Sequence, residues 1–137
     1  MKVPLITFIQ ETALKYLKHT QLGTVMKSST TLRLVIIGGG YAGLSTLITV
    51  RKFAPHAHIT LIDPRPYHLL VTRLHETVRR PLETIQIPFY ALAKRFHFIH
   101  KQSFIEFDQD ILTVWNKQKS LQVENETVPF DLSLIHI

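Results

Sequence analysis

The sequence predicts an α/β fold, a strand–helix–strand unit with parallel strands followed by an antiparallel β-meander. Three observations predict it. Leu34–Ile37 and Ile59–Ile62 are short runs of aliphatic and β-branched residues, the composition of strands buried on both faces. Between them, Gly43 to Phe53 has helical length and ends before Pro55, which cannot continue a helix. Beyond residue 98, short apolar segments recur at close spacing with polar turns between them.

A chain of 137 residues allows one ordinary domain. Its 45% hydrophobic and 19% charged residues are the balance of a globular protein rather than a disordered one. No apolar run approaches the roughly 18 to 20 residues that span a bilayer, which argues against a membrane-crossing helix. There is no cysteine, so disulfides, thiolate metal sites and a dithiol redox centre are excluded from the chain as given. The net charge of +6 raises nucleic acid or an anionic membrane as a partner. The basic residues are nevertheless scattered from Lys2 to Lys119 and carry no RNA-binding aromatic motif, so a solvated basic surface is the expectation.

Residues 1–31 read as an extension. Ile6, Ile9, Ala13, Leu14 and Leu17 recur at helical spacing with Lys15 and Lys18 opposite, which predicts a short amphipathic helix. Gln10, Glu11 and Thr12 spoil a secretory signal. Met26 stands just ahead of the first strand and is a natural translation start, leaving residues 1–25 as an extension or a mis-called start. The first helix places Leu44, Leu47, Ile48 and Arg51 on successive turns. Residues 81–97 are expected to be a loop and then a helix around Ile87, Tyr90, Ala91 and Ala93 or Lys94. Residues 98–108 are expected to be strand-like, and Ile111–Trp115, Leu121–Val123 and Thr127–Phe130 to complete the meander, with Trp115 on its inner face.

The segment Gly38-Gly39-Gly40-Tyr41-Ala42-Gly43 fits G-x-G-x-x-G directly after one strand and at the start of a helix. Gly38 allows the tight turn out of the strand, Gly40 leaves room for a pyrophosphate against the backbone, and Gly43 lets the helix pack close to the sheet. The helix N-terminus then offers free N–H groups and a positive dipole end to the phosphates. Asp63 ends the second strand, 20 residues past Gly43, where a carboxylate accepts both hydroxyl hydrogens of an adenosine ribose. Its charge repels a 2′-phosphate and argues against NADP, although Arg65 nearby keeps that question open. The competing account, a glycine-rich turn with a capping Asp, explains each residue but not their order. The pattern therefore predicts a Rossmann-like dinucleotide site.

With those residues in view, the chain resembles the N-terminal FAD-binding region of the type II NADH dehydrogenases, the non-proton-pumping NADH:quinone oxidoreductases of the pyridine nucleotide-disulfide oxidoreductase superfamily. The resemblance runs from residue 32 to 132. It rests on Leu34–Leu44, Ile59–Asp63, Tyr67–Leu70, Arg73–Glu76 and Val128–Leu132. It implies that Gly38, Gly39, Gly40, Tyr41, Ala42 and Gly43 hold the FAD pyrophosphate. It further implies that Asp63, with Pro64 and Arg65 beside it, holds the ribose, and that Leu70–Glu76 lies near the flavin ring with His68 and His75. The implied chemistry passes electrons from NADH through FAD to a quinone, and a paired-cysteine motif is not needed for it. No catalytic residue is assigned.

Family members are several hundred residues long, with a second glycine fingerprint for NADH and a C-terminal membrane-binding part. The full-length protein is accordingly expected in the cytoplasm, peripheral at the inner face of the membrane. Residues 32–132 are taken as the FAD-binding domain and Ser133–Ile137 as a foreign or cut-short tail, the chain being a fragment of a larger enzyme. A sulfide:quinone or ferredoxin-type flavoprotein reductase is the alternative enzyme, and a non-catalytic dinucleotide-binding fragment the alternative outside catalysis. His56 and His58, and His97 and His100, lack further ligands at metal spacing, so no metal site and no nucleic-acid site are expected.

Overall fold

The computed structural model describes residues 31–135. The expected N-terminal helix and the Met26 start lie outside the described residues. Strand β1 (Arg33–Ile37) is followed by helix α1 (Tyr41–Phe53) and strand β2 (His58–Ile62). A short strand β3 (Tyr67–Leu69), two 3₁₀ turns (Val71–Val78 and Leu82–Ile85) and strand β4 (Gln86–Pro88) lead into helix α2 (Phe89–Phe96). Strand β5 (Ile99–Lys101), helix α3 (Gln109–Gln118) and strands β6 (Ser120–Val123), β7 (Glu126–Pro129) and β8 (Leu132–Ile135) complete it.

The main sheet has the order β5-β2-β1-β8, with every neighbouring pair parallel. Side chains alternate across a strand, and that alternation divides the core. Leu34, Ile36, Ile59 and Leu61 face Leu44, Leu47 and Val50 of α1 and Phe89 of α2. Val35, Ile37 and Ile62 face the opposite side, against Leu121, Val123, Val128 and Phe130 of the β6–β7 hairpin. Both faces are thus covered, which is why the first two strands read as continuous apolar runs. Within α1, Val50 is buried and Ile48 is exposed, so the inward row is Leu44, Leu47 and Val50 rather than one that includes Ile48. Each fully buried side chain of this kind stabilises the fold by about 1.5–3 kcal/mol.

Two expectations need correction. Ile111–Trp115 is helix, not a meander strand. Its β-branched residues favour a strand, but Asp108 caps the segment, its carboxylate accepting from the Ile111 amide at 2.8 Å. Leu112 and Trp115, three apart, turn toward the protein, and Lys119 closes the helix at a left-handed φ of 55°. Only the β6–β7 hairpin of the meander forms. Of residues 98–108, only Ile99–Lys101 pairs as a strand; the helix expected after the loop within 81–97 spans Phe89–Phe96. Beyond Leu132, Ser133, Leu134 and Ile135 lie beside Val35, Ile36 and Ile37 of β1. Asp131 anchors that strand by accepting from the Arg33 backbone amide at 2.8 Å and from its guanidinium at 2.9 Å.

Candidate functional site

The carboxyl ends of β1 and β2 open into a cleft of about 830 Å³, the place where parallel α/β sheets bind ligands. One wall is the Gly38–Ala42 loop together with Asp63–Arg65, and the facing wall is Ser103–Phe107. Every residue the sequence assigns to the pyrophosphate and ribose lines this cleft except Gly43, which sits behind it.

The glycines divide their work. Gly38 adopts a φ of 107°, a region costly for any residue with a Cβ, and its amide donates to the Ile62 carbonyl at 2.8 Å. A Cβ on Gly43 would collide with the Gly38 carbonyl, so the helix approaches the strand as closely as the motif requires. A Cβ on Gly39 would strike the Phe89 ring. Gly40 differs from all three. Its backbone is extended at φ −78°, and an added Cβ would meet nothing within 4 Å. The room beside Gly40 is open cleft. No side chain caps α1 and no acid lies in its first turn, so its N-terminal amides remain available to an anion.

Asp63 is 3% exposed and its carboxylate is engaged on both oxygens. Oδ2 accepts from the Gly39 amide at 2.7 Å, and Oδ1 from the Arg65 amide at 2.8 Å. The Arg65 guanidinium approaches Oδ1 at 3.2 Å and Oδ2 at 3.4 Å. Burial by itself would raise the Asp63 pKa. The Arg65 side chain, the Gly39 and Arg65 amides and the Arg65 charge outweigh it, and the carboxyl is held below its ordinary value. An ionised carboxylate has about four acceptor positions. The two amide bonds are short and fixed, whereas the two guanidinium bonds are long and come from a half-exposed side chain. Hydroxyl donors in the cleft can take the places of the latter.

Behind the loop lies His68 on β3, 2% exposed, with Nδ1 at 2.8 Å from the Gly39 carbonyl. A carbonyl only accepts, so Nδ1 carries the proton. The Tyr41 ring meets His68 edge-on at 4.9 Å, and the Tyr41 hydroxyl reaches Thr72 Oγ1 at 3.0 Å. These contacts place His68 behind the loop rather than in the cleft.

The facing wall was not among the sequence-derived site residues. Its signal was present in the interrupted alternation of residues 98–108, which marks extended chain without a partner strand. Phe104 is 71% exposed there beside the cleft. The stretch Leu70–Glu76 does not line the cleft; it forms part of the first 3₁₀ turn, where Arg73 pairs with Glu76 at 2.7 Å. Among the described residues, no three His, Cys, Asp or Glu side chains gather as a metal site. No helix there is long and apolar enough to cross a membrane.

No protein-family profile matches the chain. It is 32% identical over 90 residues to the sulfide-quinone reductase of Aquifex aeolicus (strain VF5), an alignment covering 62% of this chain and 21% of that protein. The solved structure of the sulfide:quinone oxidoreductase from Aquifex aeolicus matches with a TM-score of 0.64 and 26% identity, over 77% of this chain and 24% of that one. Reduced Bacillus anthracis CoADR-RHD shares the fold alone, with a TM-score of 0.60 and 15% identity over 80% of this chain and 21% of that one. The chain therefore spans between 21% and 24% of the length of these proteins. The resemblance drawn from the sequence is met at the coarser level: this α/β chain is similar over part of its length to a sulfide-quinone reductase.

Proposed function

We propose that the cleft binds FAD through its ADP half and that the chain is the flavin-binding front of an oxidoreductase that delivers electrons to a quinone. The observation that carries this reading is the open space at Gly40, set between an uncapped helix N-terminus and the buried carboxylate of Asp63. A pyrophosphate fits where a side chain is missing, and the ribose hydroxyls fit the carboxylate next to it.

Within that reading, each residue has a defined task. Gly40, Tyr41 and Ala42 present backbone amides to the phosphates, and the α1 dipole adds positive potential. Asp63 accepts the ribose hydroxyl hydrogens, and Arg65 gives up its two long bonds to the carboxylate as they arrive. The same carboxylate charge disfavours a 2′-phosphate. When bound, FAD supplies the two-electron chemistry, and the protein supplies position and polarity.

NADH is the electron donor in the reading drawn from the sequence. A second reading, with sulfide as donor, is favoured by the 32% identity to a sulfide-quinone reductase. Reduction of a short-chain quinone by the native protein, assayed with NADH and with sulfide in turn, separates the two.

Gly40→Val tests the cofactor claim cleanly. The backbone at Gly40 suits any residue and the Cβ has room, so the variant is expected to fold with unchanged stability. Its side chain occupies the space assigned to the pyrophosphate. FAD titration followed by flavin fluorescence should show binding to the wild type and a loss of at least about a hundredfold in the variant, the scale of a steric block in a close-packed site. Equal affinity in both proteins would remove the FAD assignment.

A further inference from the structure

His68 is buried and titratable, and nothing in the proposed cofactor contacts uses it directly. Its place in the structure nevertheless bears on the cleft. Gly39 is held at both of its polar groups: its amide donates to Asp63 Oδ2 at 2.7 Å, and its carbonyl accepts from His68 Nδ1 at 2.8 Å. The Phe89 ring closes the space behind its Cα. Every peptide bond among the described residues is trans. In a planar trans peptide the carbonyl of one residue and the amide of the next point in opposite directions. A Gly39 carbonyl turned toward His68 therefore sends the Gly40 N–H the other way. His68 does not line the cleft and Gly40 does, and the Gly40 amide donates to no group among the described residues.

The lock matters because of its neighbours. Residues 38–40 are all glycine, and a peptide between two glycines can turn over at little steric cost. Turned over, the same peptide would present a carbonyl oxygen to the cleft and repel a phosphate. Asp63 fixes only the preceding peptide, through the Gly39 amide. Among the described residues, His68 alone grips the peptide between Gly39 and Gly40. The Tyr41 ring packed edge-on at 4.9 Å keeps the imidazole in place.

We infer that His68 is a positioning residue for phosphate binding, holding the Gly39–Gly40 peptide so that the Gly40 N–H faces the cleft. The inference rests on the reading of the cleft as an FAD pyrophosphate site. It requires the Nδ1–H form of the ring and no contact between His68 and the ligand. It also separates phosphate recognition, which depends on His68, from ribose recognition, which depends on Asp63.

The test is calorimetric titration of the 137-residue chain and its His68→Leu and His68→Asn variants with ADP and with adenosine. Leu fills the space without a donor, whereas Asn places an N–H close to where Nδ1 stood. His68→Leu is expected to weaken ADP about tenfold or more while adenosine changes by less than about twofold, since a charge-assisted contact is lost only from the phosphate side. His68→Asn should restore ADP affinity to within about threefold of the wild type. Unchanged ADP affinity in His68→Leu, or an equal loss for ADP and adenosine, overturns the inference and leaves the FAD reading intact. A wild type that binds neither ADP nor FAD overturns the FAD reading itself. If His68→Leu fails to fold, nitrogen-15 NMR of the wild type decides. The inference requires a protonated His68 Nδ1 and a Gly40 amide proton that moves downfield with ADP. An unprotonated Nδ1 or an unmoved Gly40 amide overturns it.

Discussion

The glycine-loop wall of the cleft is pinned by hydrogen bonds from Gly38 to Ile62, from Gly39 to Asp63, from His68 to Gly39, and from Arg65 to Asp63. The facing wall, Ser103–Phe107, is extended chain that joins no strand among the described residues. Its Phe104 ring stands mostly in solvent. The difference separates two kinds of recognition. A wall whose dipoles are already aimed loses little entropy when a charged ligand arrives, and selects by geometry. A wall of unpaired backbone and an exposed ring must be ordered by the ligand, so it contributes less and tolerates change.

The largest break in this comparison comes from inside the first wall. Gly43→Val drives a side chain into the Gly38 backbone carbonyl, and roughly 3 kcal/mol or more of stability should be lost, seen as a lower urea midpoint. Next is Asp63→Ala, which removes the proposed ribose acceptor and releases the Gly39 amide. FAD affinity should fall roughly tenfold to a hundredfold, measured by fluorescence titration.

Acid sharpens the same wall. The folded Asp63 pKa lies below its ordinary value, so the carboxylate's contribution to stability is complete above the unfolded pKa and is lost as pH falls through the folded one. Arg65→Met removes the leading stabilising partner of the charge and should move the acid-unfolding midpoint to higher pH, tracked by circular dichroism. The smallest effect belongs to the other wall. Phe104→Ala should weaken FAD by only about threefold and leave thermal stability nearly unchanged, because the ring is exposed in the free protein. A loss from Phe104→Ala as large as that from Asp63→Ala would erase the distinction between the walls.

The same division governs what the sequence made legible. The β1–α1–β2 unit and its loop are local, and their patterning follows from burial on both faces and from the glycine spacing, so Gly38, Gly40, Gly43 and Asp63 could be placed in advance. What lies beyond Asp63 depends on distant partners. Ser133–Ile135 finds its place only beside Val35–Ile37, about 98 positions earlier. Ile111–Trp115 carries the composition of a strand, and only the Asp108 cap and the three-residue spacing of its inward side chains make it a helix. His68 was noticed, but its partner is a backbone carbonyl 29 positions earlier, and no side-chain pattern records that bond.

The Arg33–Asp131 bond joins residues 98 positions apart, on either side of the seam between β1 and β8. On a ribosome adding roughly 5–20 residues per second, β1 emerges about 5–20 s before β8 can reach it. During that interval β2 can pair with one edge of β1, but the other edge, and the face bearing Val35 and Ile37, must wait for the hairpin and β8. The β1–β8 pairing therefore forms well after β1 itself is made. A nascent chain stalled before Asp131 would expose an open apolar strand, the kind of surface that chaperones hold.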